Sequence, residues 1–316
     1  MTGYERLGRA IDDSVRRMCE GKRVGIAFSG GLDSGLVAAL ASRYAESVTC
    51  YTCGTSNAFD VVAAKDASER LGLPWVHVRI TKGIVESTLR EMISGTRTTD
   101  PFTLSYELQL FCVCREADEE IILTGQGSDE FFGGCAKFVD TSAEDCDKLA
   151  AASVERLMTV SIPCEERIGE YFGKTLCYPY LEKDVLDEIG SLDRDDLRPK
   201  DMDSRKIVLK TIAREFGFDF LAERKKKSSQ YGSGTTDLVR ALAREKGMMY
   251  NEYIAHLCDS ELRGEHELRR GSVINARIDP IVKVTAENIL QHNGISPSEA
   301  VERLYRRIIE KGGLDI

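Results

Sequence analysis

Through the first 123 residues, short apolar runs alternate with stretches of helical periodicity, and few folds accommodate that order. Val24–Phe28, Val48–Thr52, Val76–Ile80 and Ile121–Leu123 have the length and the apolar density of buried strands. Between them lie helical patterns. Residues 3–20 place Leu7, Ile11, Val15 and Met18 on one face, and further helices are expected at Leu36–Leu40, Val61–Leu71, Ile84–Ile93 and Leu104–Glu116. Strands separated by helices predict βαβ units, hence a parallel sheet covered by helices on both faces. From about 143 to 221 the pattern is mainly helical. A cationic Gly/Ser loop follows at 222–235, then a charged helical stretch to about 271.

Composition narrows the functional classes. Of 316 residues, 42% are hydrophobic and 30% charged, so the chain can bury a core and is not globally disordered. The net charge of −9 disfavours a protein coated by nucleic acid or by an anionic membrane, while leaving room for a local basic site. No apolar run approaches the ~20 residues of a membrane helix, and the opening MTGYERLGRAIDDSVRR lacks a signal-peptide core. A cytoplasmic protein without membrane partners is expected. The ten cysteines sit mostly in apolar runs and read as buried thiols. Cys50 and Cys53 have metal-site spacing, but on a strand, side chains three apart point to opposite faces.

The last 45 residues have a separate character. Ile274–Ile278 alternates apolar and polar positions as a half-buried strand does. Asp279-Pro280 opens a helix to about His292. Ser296-Pro297-Ser298-Glu299 carries the signature of another helix start. A lone strand with two helices cannot bury its own core, so the segment needs a partner.

The residues richest in chemistry form two glycine-containing turns. Ser29-Gly30-Gly31-Leu32-Asp33-Ser34 lies between a strand and a helix. Its glycines let the backbone approach an anion, the helix N-terminus points N–H groups at it, and Asp33 can hold Mg2+ against phosphate oxygens. No Gly-Lys-Ser ending is present, so this is not a Walker loop. Thr124-Gly125-Gln126-Gly127-Ser128-Asp129-Glu130 follows the strand Ile121–Leu123. Loops at the carboxyl ends of neighbouring parallel strands converge on one crevice, so Asp129 and Asp33 are expected to share one magnesium–pyrophosphate unit. The four histidines are scattered and receive no role.

Together, SGGLDS, the segment ending Glu69-Arg-Leu-Gly-Leu73 and TGQGSDEFFGG resemble the asparagine synthetase family of PP-loop ATP pyrophosphatases over about residues 20–235. The resemblance implies a PP-loop, adenine-nucleotide-hydrolase-like α/β fold with a helical extension. It also implies ATP and Mg2+ as cofactors, adenylation of a small-molecule carboxylate, and attack by ammonia to give an amide. Carried over, Ser29, Gly30, Gly31 and Ser34 would grip pyrophosphate, and Asp33 and Asp129 the metal. Thr124, Gly125 and the strand end at Thr52 would contact adenosine. Arg224-Lys225-Lys226 resembles the family's Arg-x-Lys loop, whose lysine, here Lys226, meets charge developing on the phosphates. Taken alone, three consecutive lysines read as a solvated basic loop.

The departures are specific. The chain begins Met1-Thr2 without an amidotransferase domain, so free or externally delivered ammonia is expected. Gln126 stands where the family has a glutamate suited to steering or deprotonating the amine. Thr175-Leu-Cys177-Tyr-Pro-Tyr-Leu-Glu182 replaces Glu-Ala-Arg-x-Pro-Phe-Leu-Asp, which changes what the acceptor pocket recognises.

Residues 272–316 resemble the ribbon-helix-helix module of antitoxin-type repressors. This resemblance implies a homodimer, with Asn275 and Arg277 on the ribbon face that reads DNA. Six basic and six acidic residues in the segment balance, so dimerisation alone is an equal alternative to DNA binding. The expected organisation is 1–235 as the ATP domain, 236–271 as a helical linker and 272–316 as the module. Two rival functions share these features: a PP-loop enzyme modifying a nucleobase of tRNA or DNA, and a nucleotide-sensing DNA-binding regulator.

Overall fold

The computed structural model describes residues 2–224, 232–262, 276–293 and 295–311. Five parallel strands form one sheet: β1 (Arg23–Ala27), β2 (Ser47–Gly54), β3 (Trp75–Arg79), β4 (Ile121–Leu123) and β5 (Thr175–Cys177), in the order β3-β2-β1-β4-β5. Val24 stands opposite Val48 on one side and Ile121 on the other, which sets β1 at the centre. The chain runs outward from β1 to β3 and then returns to β4. The carboxyl ends of β1 and β4 therefore flank the point where the winding reverses, where such sheets hold their ligands.

Four of the strands lie within two residues of their sequence-based positions. β5 was not expected, since its three residues follow a helix and carry no alternation of their own. It is held by pairing with β4, Ile121 to Thr175 through Leu123 to Cys177.

Each face of the sheet has its own core. On one face, Leu7, Ile11 and Val15 of the helix Gly3–Cys19 and Leu36 and Leu40 of the helix Leu32–Ala41 pack with Val24, Ile26 and Cys50. On the other, Leu89, Leu104, Leu108, Phe111 and Ile168 cover Tyr51, Cys53, Val78 and Ile122. Cys50 and Cys53 belong to different cores, as strand alternation requires, so they cannot share a ligand. Among the described residues, no group of three or more His, Cys, Asp or Glu is placed to hold a metal ion.

Of residues 236–271, expected as a helical linker, 236–262 contribute packed helices and 263–271 lie outside the described residues. Val239, Leu242 and Ala243 of Thr235–Glu245, and Tyr253, Ile254 and Leu257 of Tyr250–Glu261, join the second core. In the C-terminal segment the two helices form as read, Pro280–His292 and Pro297–Lys311, the second with its Ser296 Oγ accepting from Glu299 N–H at 3.1 Å. The expected strand is described only at 276–278. Residues 276–278 are neither strand nor bridge, and Ile278 is 54% exposed. Ile274 and Asn275 lie outside the described residues. A half-buried strand needs a neighbour to pair with, and the described part of one chain supplies none. Instead, Ile281 packs near Phe138, Cys146 and Leu149, and Asn288 donates to Glu155 at 2.6 Å, so the first helix docks on the helix Ala143–Arg156. Arg277 is exposed. Among the described residues, no helix is long and apolar enough to cross a membrane.

Candidate functional site

The turn after β1 is shaped by hydroxyls and by a glycine that only close packing explains. Ser29 N–H donates to Ser34 Oγ at 3.1 Å, the two hydroxyls lie 3.2 Å apart, and Gly31 N–H reaches Ser29 Oγ at 3.4 Å. Gly30 has φ +70°, and a Cβ there would meet the backbone of Ala64 at 2.4 Å, so glycine is required twice over. Arg224 braces this turn from outside. Its guanidinium donates to the Gly30 carbonyl at 3.0 Å, to the Ala63 carbonyl and to Asp66. It lines a second cavity behind the glycine turn rather than the pocket in front of it. Lys226 lies outside the described residues.

A pocket of about 140 Å3 opens at the ends of β1, β2 and β4. Ser29, Asp33, Ser34, Thr52, Thr124, Gly125, Gln126 and Asp129 all line it. These eight expected site residues are thus gathered in one place, while Gly30, Gly31 and Arg224 border the adjoining cavity. Thr52 is fixed from both sides: its hydroxyl donates to the Phe28 carbonyl at 2.6 Å and accepts from the Trp75 indole at 2.9 Å. The Tyr180 hydroxyl donates to the Asp33 carbonyl at 3.0 Å, pinning the first turn of the helix that carries Asp33.

Two of the pocket's carboxylates are joined by a buried residue that sequence reading missed and that does not itself line the pocket. Lys206, 5% exposed, donates through Nζ to Asp33 Oδ1 at 2.5 Å and to the Ser128 hydroxyl at 3.0 Å, and pairs with Asp129 Oδ1 at 2.7 Å. It joins the two carboxylates expected to meet here, and its backbone is left-handed at φ 57°. A Cβ on Gly134 would strike Asp129 Oδ1 and Lys206 Cε at 2.2 Å, so that glycine makes room for the pair. Nothing in local spacing marks a lysine 173 residues from Asp33. Magnesium is commonly held by one or two carboxylates together with substrate phosphates and waters. Asp33 and Asp129 fit that pattern, with Lys206 balancing their charge.

A second cluster was also missed. Glu107, from the helix Pro101–Glu116, and Glu165, from Ile162–Phe172, both line the pocket and are only 3% and 1% exposed. Gln126 Nε2 donates to Glu165 Oε1 at 2.5 Å, and the Tyr178 hydroxyl lies near enough to Glu165 to favour its charged form without a hydrogen bond of ordinary geometry, while Glu107 Oε1 has no hydrogen-bond partner. Burial drives the Glu165 carboxyl up to about 8, although the Gln126 amide pulls the other way. Burial, then the charge of Glu165, pushes Glu107 well above the carboxylate range. A signal for both was present: each carboxylate sits on the apolar face of its helix, Glu107 between Leu104 and Phe111, and Glu165 between Ile162 and Ile168.

These motifs have counterparts among known proteins. Residues 6–150 match the family model described as asparagine synthase. An asparagine synthetase 1 of Methanocaldococcus jannaschii, named as glutamine-hydrolyzing, is 27% identical over 281 residues, covering 77% of this chain and 52% of its own length. The glutamine-hydrolyzing asparagine synthetase of Brassica oleracea is 26% identical over 235 residues, 66% of this chain and 39% of its own. The chain spans about half the length, or less, of the curated relatives it matches. A solved structure described as a predicted tRNA methyltransferase subunit of Methanocaldococcus jannaschii superposes with a TM-score of 0.32 at 15% identity, over 66% of this chain and 92% of that one. A superposition that loose carries no argument.

Proposed function

We propose that this chain is an ATP-dependent, AMP- and pyrophosphate-forming synthetase that activates a carboxylate and transfers it to nitrogen as an amide. One observation carries the reading: Asp33 and Asp129, from the helix starts that follow β1 and β4, both line the pocket and are joined by the buried Lys206. The similarity of residues 6–150 to the asparagine synthase family supports it.

In this reading Ser29, Gly30, Gly31 and Ser34 receive the β- and γ-phosphates, aided by the free N–H groups of the helix Leu32–Ala41. Thr52, Thr124 and Gly125 border the nucleoside. Asp33 and Asp129 would hold Mg2+, which supplies charge neutralisation on the phosphates. The acceptor carboxylate oxygen attacks the α-phosphorus, the bond to pyrophosphate breaks, and an acyl-adenylate forms. A nitrogen nucleophile then attacks the acyl carbon, gives up a proton, and AMP departs. Lys206 and, from the cationic loop, Lys226 are the groups assigned to charge developing on the departing pyrophosphate.

Two measurements test this. Asp33→Asn should lower turnover more than a hundredfold, because an amide brings no negative charge to the metal. Products of the wild type should be AMP and pyrophosphate; ADP and orthophosphate would overturn the assignment.

We also propose that residues 272–316 join two chains. Val301, Leu304 and Tyr305 of Pro297–Lys311 and Ile289 of Pro280–His292 are between 38% and 59% exposed, an apolar surface that a second copy would cover. Leu304→Glu should convert a dimer to monomer in light scattering at micromolar concentration, without change in ATP binding. A wild-type monomer at that concentration removes the proposal. Salt-sensitive DNA binding that Arg277→Ala weakens would add the DNA role; its absence would leave assembly alone.

A further inference from the structure

The acidic wall of the pocket is unsatisfied in a way that points to what it takes. Glu107 and Glu165 come from different helices, are almost fully buried, and face the cavity with no hydrogen bond of ordinary geometry at Glu107 Oε1 or Glu165 Oε2, the Tyr178 hydroxyl being the neighbour that eases the charge of Glu165. A fixed hydrogen bond from Gln126 holds Glu165 in place at 2.5 Å. The charged groups around the pair are mostly of the same sign. Glu130 acts on both, and Glu166 on Glu165. The cation acting on Glu107 is Arg156, and it is already engaged: its guanidinium donates to Asp100 at 3.0 Å and lies over the Phe102 ring, 4.9 Å from its centre. Among the described residues, neither Glu107 nor Glu165 has an ion-pair partner. Two buried acids with unmade hydrogen bonds are costly, and apolar residues would fill the same volume more stably.

We propose that Glu107, Glu165 and Gln126 form a subsite for a protonated nitrogen, an amine or guanidinium, and that the pocket disfavours a second carboxylate. The proposal rests on the synthetase reading above. It narrows the substrate class to one in which either the acceptor or the nucleophile brings a cation to this wall. On binding, the ligand's N–H groups donate to Glu107 Oε1 and Glu165 Oε2. A carboxyl that was protonated in the empty pocket then releases its proton to solvent, because the charged form is now paired.

The full-length protein should be titrated calorimetrically at pH 7 with agmatine, L-arginine and ammonium, and with succinate and L-aspartate for contrast. Two buffers of different ionisation heat report the proton release. Agmatine or L-arginine should bind with buffer-dependent heat, and the double variant Glu107→Gln/Glu165→Gln should weaken that binding at least tenfold while keeping a cooperative thermal transition. Tighter binding of succinate than of agmatine, equal binding of amines by the double variant, or no heat with any amine would overturn the subsite.

ATP–pyrophosphate exchange run with the same compounds distinguishes the two sources. Exchange stimulated by L-arginine places the cation on the acceptor. Carboxylate-dependent ammonium binding without effect on exchange places it on the nucleophile. No exchange with any compound, alongside intact amine binding that the double variant loses, would sink the synthetase reading and leave the cation subsite standing.

Discussion

Lys206→Ala should destabilise the protein by about 3–5 kcal/mol near pH 8, the usual cost of stripping one partner from a buried ion pair. The side chain is 6% exposed, and its ammonium is what brings Asp33 and Asp129 together. Without it, two carboxylates face one another across a few ångströms and cannot both stay charged. That repulsion is what the loss of the ammonium leaves behind. Millimolar Mg2+ should restore part of the lost stability, since a divalent cation can replace the lost charge. Turnover should fall at least a hundredfold, about 3 kcal/mol in the barrier, as for other fixed groups that meet developing charge. Chemical denaturation at pH 8, with and without Mg2+, reads the first two, and ATP–pyrophosphate exchange reads the loss of turnover. A variant as stable as wild type at pH 8 in the absence of Mg2+ would mean that Lys206 does not hold the site together.

Much of the sheet was legible because its signals are local. Ile121–Leu123 was read to the residue, and the other three expected strands to within two. β5 escaped because three residues between a helix and a turn show no period, and only β4 makes them a strand. The glycine turns were legible for the same local reason: Gly30 answers a backbone requirement that its neighbours announce. Lys206 was not, since the reason for it lies 173 residues away across the pocket. Glu107 and Glu165 were legible in part. A carboxylate on the apolar face of a helix is visible in the sequence, but that the two faces meet beside Gln126 is a fact of packing between helices. The strand expected at 274–278 is described only at 276–278, which pair with no strand among the described residues. Its alternation is genuine, yet alternation does not supply the neighbour that a strand requires.

That same buried pair makes a second large effect measurable. Glu165→Gln should stabilise the ligand-free protein, by an amount that depends on pH in a defined direction. The Glu165 carboxyl is driven up to about 8 from an ordinary value of 4.5, chiefly by burial. Below pH 4.5 the carboxyl is protonated both folded and unfolded, so glutamine and glutamic acid should differ little. Between 4.5 and about 8 the unfolded chain ionises this group while the folded one resists, and wild-type stability falls as pH rises. At about 1.4 kcal/mol per pH unit the loss saturates above pH 8 at several kcal/mol. Glu107 titrates with its neighbour, so the pair shares this cost and the single variant recovers only part of it. Glutamine keeps the shape and can still hydrogen-bond the Gln126 amide, which keeps the comparison conservative. The gain in melting temperature should therefore be near zero at pH 4.5 and largest at pH 8.5, with loss of amine binding at both neutral and alkaline pH. A variant that is less stable than wild type at pH 8.5 would show that Glu165 has a structural partner and that its burial serves the fold. More stable and unable to bind amines, it would instead mark a residue held at the expense of the fold for the sake of the ligand.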